Sequence, residues 1–176
     1  MIQFRQVGLH DAEALQQLME LNADYTLRVQ GTSVAEGAAI EALTALPPNT
    51  TNKQKFGFGL WEAGKLIAFA DVIQSWPEPD TAHIGLLMTD PRRRGEGLGR
   101  QLHESIISEM SMVQGLMWLR ISIVEANAEI AEPFWIKMGY TPTDVVAPYS
   151  YASVESRSRI WHRRLHDKHR PRVGSS

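Results

Sequence analysis

The chain has 176 residues, 43% hydrophobic and 22% charged, with eighteen basic against twenty acidic side chains, so it fits one core-forming domain and lacks a global field for nucleic acid. It has no cysteine, which excludes disulfides, thiolate catalysis and Cys-ligated zinc, and no metal is expected. No stretch of about 18 apolar residues and no signal segment after Met1 is present, so a cytoplasmic chain without a membrane partner is expected.

Residues 2–7 alternate apolar and polar like a short strand. Asp11 can cap a helix whose inward face carries Leu15, Leu18, Met19 and Asn22. Ser33-Val34-Ala35-Glu36 is a capping-box pattern, opening a second helix that buries Ile40, Leu43 and Leu46 and stops at Pro47-Pro48. A loop over 49–54 follows, and its Asn49-Thr50-Thr51 sequon means little without a secretion signal. Strands over 56–62 and 66–75 flank the turn Ala63-Gly64-Lys65. A second turn, Trp76-Pro77-Glu78-Pro79-Asp80, leads into a strand over 82–89.

That strand runs into Asp90-Pro91-Arg92-Arg93-Arg94-Gly95-Glu96-Gly97-Leu98-Gly99-Arg100, where alternating glycines open a helix. Glycine lets the backbone approach an anion and adopt positive φ. The first-turn N–H groups of a helix lack intrahelical acceptors, and its dipole makes that end electropositive. Arg92, Arg93, Arg94 and Arg100 add charge-assisted donors, so a diphosphate is the natural guest. The Lys-Ser/Thr pair of a Walker loop is missing, and the third glycine of a dinucleotide fingerprint is misplaced. A glycine-rich turn beside a solvated basic run is the bland alternative.

The helix after the glycines carries Leu98, Leu102, Ile106, Met110 and Val113 on one face. A strand over 117–124, a helix over 128–138 and late strands over 145–151 and 159–165 complete the pattern. Residues 1–165 are expected to form a single domain and 166–176 a flexible basic tail. No internal repeat is visible.

Arg94-Gly95-Glu96-Gly97-Leu98-Gly99 resembles the acetyl-CoA loop of the GNAT superfamily of N-acyltransferases, Q/R-x-x-G-x-G/A. Downstream, Ile121 to Asn127 and then Phe134-Trp135-Ile136-Lys137-Met138-Gly139-Tyr140 resemble that superfamily's next strand and its short closing helix. The resemblance covers roughly residues 1–165 and is strongest over 81–140. It implies an α/β (α+β) GNAT fold: a mixed, mostly antiparallel sheet with helices on both faces and a splay between strands 4 and 5. It also implies acetyl-CoA as co-substrate, held by Leu87, Met88, Thr89, Arg94, Gly95, Gly97, Leu98, Gly99, Arg100, Asn127 and Trp135.

The implied reaction is N-acetyl transfer to a primary amine by direct attack in a ternary complex. An acyl-CoA-binding module with little or no catalysis is the alternative. An ammonium must lose a proton before it can attack, and His83 on the fourth strand is the candidate base, with Glu125, Asp71, Glu78 and Asp80 as substitutes. The chain departs from the family where many members have an acidic tyrosine, for Trp135 stands there. Thiolate protonation then falls to water, Tyr140 or Tyr149, or the thiolate leaves unassisted. Asn127 lies twelve residues before Gly139, one more than the commonest family spacing, and Pro133 falls between them. On the acceptor side stand Asp24, Tyr25, Arg28, Gln30, Glu36, Tyr149 and Tyr151, and a small-molecule amine is expected over a protein. Relatives of this size are often dimers, and exposed aromatics at Tyr149, Tyr151 and Trp161 fit a homodimer.

Overall fold

A computed structural model of the protein describes residues 1–151 and 153–166. The element order is β1 (Gln3–Gln6), α1 (Ala12–Leu21), α2 (Ala23–Gln30), α3 (Ala38–Thr44), β2 (Lys55–Glu62), β3 (Lys65–Ile73), β4 (Thr81–Thr89), α4 (Leu98–Ser111), β5 (Trp118–Val124), α5 (Ala128–Lys137), β6 (Thr141–Tyr151) and β7 (Val154–Arg164). The strands form one sheet in the order β1-β2-β3-β4-β5-β7-β6. Every neighbouring pair is antiparallel except β4 and β5. This is the mixed α/β arrangement expected, with helices on both faces.

Two apolar clusters set those faces. Phe58, Ala70, Val72, Ala82, Ile84 and Ile121 pack with Leu98, Leu102, Ile106 and Met110 of α4 and with Trp135 of α5. The i, i+4 spacing on α4 puts its apolar residues in one stripe against the sheet. On the other face Leu15 and Leu18 of α1 and Ala39 of α3 pack on Trp61, Leu66, Phe69 and Met88. Val113 lies beyond the end of α4 and is only half-buried. Among the described residues, no helix is long and apolar enough to cross a membrane.

The N-terminal third differs from the pattern reading. Asp11 makes no side-chain cap on α1; its carboxylate accepts from the Gly8 amide at 3.0 Å and from Arg5 at 3.1 Å. A third helix, α2, fills residues that bury only Thr26 and Val29. The capping box at Ser33 does not form, and α3 starts at Ala38. Tertiary bonds take its place: Gln16 Nε2 donates to the Ala35 carbonyl at 2.8 Å, and the Ala39 amide donates to Gln16 Oε1 at 3.0 Å. Pinned this way, the helix buries Ala39, while Ile40 is 54% exposed and Leu43 and Leu46 are half-buried.

The C-terminal hairpin is longer than its apolar content indicates. β6 begins at Thr141, with Pro142 and Pro148 tolerated because the strand lies at the edge of the sheet, and a register shift falls between Pro142 and Val146. β7 begins at Val154 and inserts between β5 and β6. Trp161 is therefore core rather than an exposed aromatic, 5% accessible and opposite Ile121. From residue 167 onward, the expected tail lies outside the described residues.

Candidate active site

β4 pairs with β5 only from Thr81↔Trp118 to Ile84↔Ile121. Beyond Ile84, β4 stays on β3 (Leu86↔Asp71 to Thr89↔Ala68), while β5 stays on β7. The two central strands thus part as expected. The parting coincides with a β-bulge: the register on β3 jumps from Asp71↔Leu86 to Val72↔Ile84, so Gly85 has no partner. A cleft of about 630 Å³ opens there, within the size range of small-molecule sites.

At one end of the cleft lies the glycine loop. Asp90 caps it, accepting from the Arg92 amide and Nε at 3.0 Å and from Arg92 Nη2 at 2.7 Å. The Arg92 guanidinium holds the Asp90 carboxyl below its usual range. Arg93 is bound by Glu62 and Glu96. Two of the four arginines are therefore spent on shaping the loop and are not free donors for a guest. Arg94 and Arg100 line the cleft, and among the described residues neither has an ion-pair partner.

Gly95 and Gly97 have φ of 84° and 76°, a conformation other residues adopt only with strain. Gly97 directly precedes Leu98, the first residue of α4, so the free N–H groups of that helix's first turn open toward the loop. Gly99 is needed for another reason: a Cβ there would stand 2.9 Å from the Phe134 ring of α5. Backbone donors, two free guanidiniums and open space beside Gly95 and Gly97 fit a diphosphate.

The walls come from both parted strands. Leu87, Met88 and Thr89 line one side, and Ile121, Ser122 and Val124 the other, with Leu98, Phe134 and Trp135 between. The Thr89 carbonyl is taken by Asn22, whose Nδ2 donates at 3.0 Å. Trp135 is 9% exposed and sits edge-on to Phe134, Tyr140 and His103. Asn127 lines the cleft too, and its Oδ1 accepts from Arg28 Nε of α2 at 3.0 Å. Every residue expected at the cofactor thus borders one cleft, despite the extra residue before Gly139.

The expected proton carriers do not. His83 is 9% exposed and absent from the cleft lining. Its Nδ1 accepts from Arg120 Nη1 at 3.0 Å, and its ring stands edge-on to Trp76 at 5.1 Å. Burial, with the Arg120 charge beside it, pushes its pKa down to about 3. Assignment of His83 as base is corrected on those grounds: the lone pair is engaged and the ring resists protonation. Tyr140 is sealed in the core against His103 Nε2 at 2.9 Å, with burial raising its pKa. Tyr149 donates to the Val29 carbonyl at 2.9 Å. Neither hydroxyl lines the cleft, and neither do Asp71, Glu78, Asp80 or Glu125.

Of the acceptor-side residues, α2 contributes Tyr25 and Arg28 to the lining, and burial pushes the Tyr25 phenol up to about 12. Gly85, Ser122 and Phe134 line the cleft but were not among the expected site residues, although Phe134 opens the closing-helix motif. Gly85 too had a readable signal, an isolated glycine inside a strand pattern.

A family model described as the acetyltransferase (GNAT) family matches residues 15–140. The chain is similar in structure to an acetyltransferase from Thermus thermophilus, with TM-score 0.72, 18% identity and coverage of 93% of this chain and 97% of that one. The ribosomal-protein-S18-alanine N-acetyltransferase from Escherichia coli gives TM-score 0.68 at 18% identity, covering 97% and 99%. An N-acetyltransferase from Staphylococcus aureus Mu50 gives 0.69 at 17%, covering 94% and 99%. At such identities the likeness is one of fold. No curated protein sequence matches the chain.

Proposed function

Because the chain belongs to the acetyltransferase (GNAT) family, we propose that it transfers an acetyl group from acetyl-CoA to a primary amine by direct attack in a ternary complex. The observation that carries this reading is the single cleft running from the positive-φ glycine loop to the unpaired Gly85, where the two central strands part. Arg94, Gly95, Gly97, Leu98, Gly99 and Arg100 are the residues for the diphosphate. The strand backbone at Leu87, Met88 and Thr89 is suited to the amide-bearing arm, with Asn127 and Trp135 flanking it. Acetyl-CoA supplies the activated thioester. Peptide groups left out of the ladder at the Gly85 bulge are suited to stabilise the oxyanion.

A small amine suits the acceptor side better than a protein chain. The Arg28–Asn127 bond spans from α2 to the start of α5, and the Tyr149–Val29 bond ties α2 to β6. Arg28, Val29 and Asn127 all line the cleft, so both bonds fix α2 at its border.

One observation favours the alternative, a CoA-binding module with little turnover: neither Tyr140 nor Tyr149 is placed to protonate a thiolate. Once the nitrogen of the tetrahedral adduct is neutral, the thiolate is a far better leaving group than an amide anion and departs without much help, so transfer remains the better reading. Steady-state CoA release with a panel of primary amines separates the two. Amine-dependent turnover is expected, and tight acetyl-CoA binding with no turnover on any amine would establish the module. In the same series, Arg94→Ala is expected to weaken acetyl-CoA binding by about 1–3 kcal/mol in calorimetry, as for a lost charge-assisted contact.

A homodimer is proposed as the working state. β6 is an edge strand on which Val145, Val146 and Tyr151 are 58%, 41% and 42% exposed, and such an edge favours a partner. Light scattering is expected to give twice the chain mass of 19.8 kDa, and a clean monomer at micromolar concentration contradicts it.

A further inference from the structure

The bulge that leaves Gly85 unpaired also sets a carboxylate directly behind the cleft wall: Asp71 does not itself line the cleft, and Gly85, which does, is all that stands in front of it. A Cβ placed on Gly85 would lie 3.0 Å from Asp71 Oδ2 and 3.9 Å from its carboxyl carbon, so only the missing side chain leaves room between them. Gly85 is itself exposed on the cleft wall at the parting of β4 and β5. The two oxygens of Asp71 have different surroundings. Oδ1 accepts from Lys55 Nζ at 2.8 Å. Oδ2 has no hydrogen-bond donor among the described residues and faces the bare α-carbon of Gly85.

The Lys55 and Asp71 side chains are 7% and 18% exposed. Burying such a pair costs desolvation that its mutual attraction barely offsets, and an apolar pair of the same volume would serve a purely structural purpose as well. Burial pushes the Asp71 carboxyl above its usual range, while Lys55 pulls it back down. From β4, His83 reaches within 3.9 Å of the same Gly85 Cβ position, but it stays neutral, and Arg120 of β5 is turned onto it. Lys55 is thus the charged group that faces Asp71.

We propose that Asp71 accepts the proton of the attacking amine through Oδ2 across Gly85, with Lys55 as the positioning residue that holds Oδ1. The inference rests on the acetyl-transfer reading and deepens it. An ammonium gives one proton to Oδ2, and the freed nitrogen lone pair forms a C–N bond to the thioester carbonyl carbon. Collapse of the tetrahedral adduct breaks the C–S bond, with the electron pair going to sulfur. The second nitrogen proton reaches the thiolate through solvent, and Asp71 returns the first to water. The balance is an ammonium and a thioester giving an amide, a thiol and one proton.

The test uses the full chain with acetyl-CoA and a panel comprising a polyamine, an aminoglycoside, free amino acids and an alanine-ended peptide. Asp71→Asn is nearly isosteric and is expected to lower turnover by about 10²–10⁴-fold while leaving acetyl-CoA affinity in calorimetry unchanged. Wild-type kcat/KM should rise with pH as the Asp71 carboxyl ionises, and Asp71→Asn should lose that limb. Lys55→Gln removes the ammonium that lowers the Asp71 pKa, so its limb should move to higher pH. A merely structural pair gives neither change. Asp71→Asn that melts lower yet keeps its turnover and pH limb overturns the assignment, as does a Lys55→Gln limb that does not move. A wild-type protein that releases no CoA with any amine overturns the transfer reading, and this assignment with it.

Discussion

Gly97→Asp is expected to abolish acetyl-CoA binding while leaving the fold intact. At Gly97 φ is 76°, in the left-handed region that feeds the chain into α4. Among non-glycine residues, Asp and Asn tolerate that region best, so the backbone cost is about 1 kcal/mol. A Cβ at this position meets nothing within 4 Å, so the new side chain projects into open space. That space adjoins the first turn of α4 in the cleft that Arg94 and Arg100 also line, where the proposed diphosphate would sit. A carboxylate there occupies the anion's volume and repels its charge. A loss of at least 10²-fold is expected, about 3 kcal/mol. Gly97→Asn carries the same backbone cost without the charge and should lose less. Calorimetry with acetyl-CoA on folded protein measures both, and unchanged affinity in Gly97→Asp would remove the diphosphate assignment.

Stability is expected to fall by about 4 kcal/mol between pH 7.5 and 5, through two buried histidines. Burial, with Arg120 beside it, depresses the His83 pKa from 6.5 to about 3, and burial, with Arg163 nearby, depresses that of His103 to about 4. Both are neutral in the native protein across this range, while in the unfolded chain they take up protons below about pH 6.5. The unfolded state then binds more protons, so stability is complete above about pH 6.5 and is lost as pH falls from there toward the folded values of about 4 and 3. At pH 5 each contributes a loss of about 2 kcal/mol. Asp71, pushed up by burial, works in the opposite sense, so the histidine effect is best read as a difference between proteins. Urea denaturation of wild type and of His83→Gln and His103→Gln across pH 5–7.5 makes the measurement. Each variant should flatten the acid-side loss by about half, and parallel pH curves would rule out the buried neutral state.

Features that depend on near neighbours could be read from the order of residues. The glycine loop is legible because its requirements are local: positive φ at Gly95 and Gly97, a helix N-terminus directly after, and the four-residue apolar spacing of Leu98, Leu102, Ile106 and Met110. The β2–β3 hairpin was legible for the same reason, since two apolar runs meet at Ala63-Gly64. Tertiary structure alone decided the rest, because those features depend on partners far along the chain. Arg93 looks like a free cation until Glu62 folds against it, and His83 looks like a base until Arg120, 37 residues later, takes its lone pair. The Ser33 capping box lost to Gln16 because a tertiary hydrogen bond to an already packed helix holds the segment more firmly than a local box at a fraying end. The insertion of β7 between β5 and β6 turned Trp161 inward, which no periodicity in a polar strand could announce. The chemistry of Asp71 is the extreme case. Its residue type is plain in the sequence, but its free oxygen, its lysine and the bare glycine before it come from three strands, and only the register of the sheet brings them together.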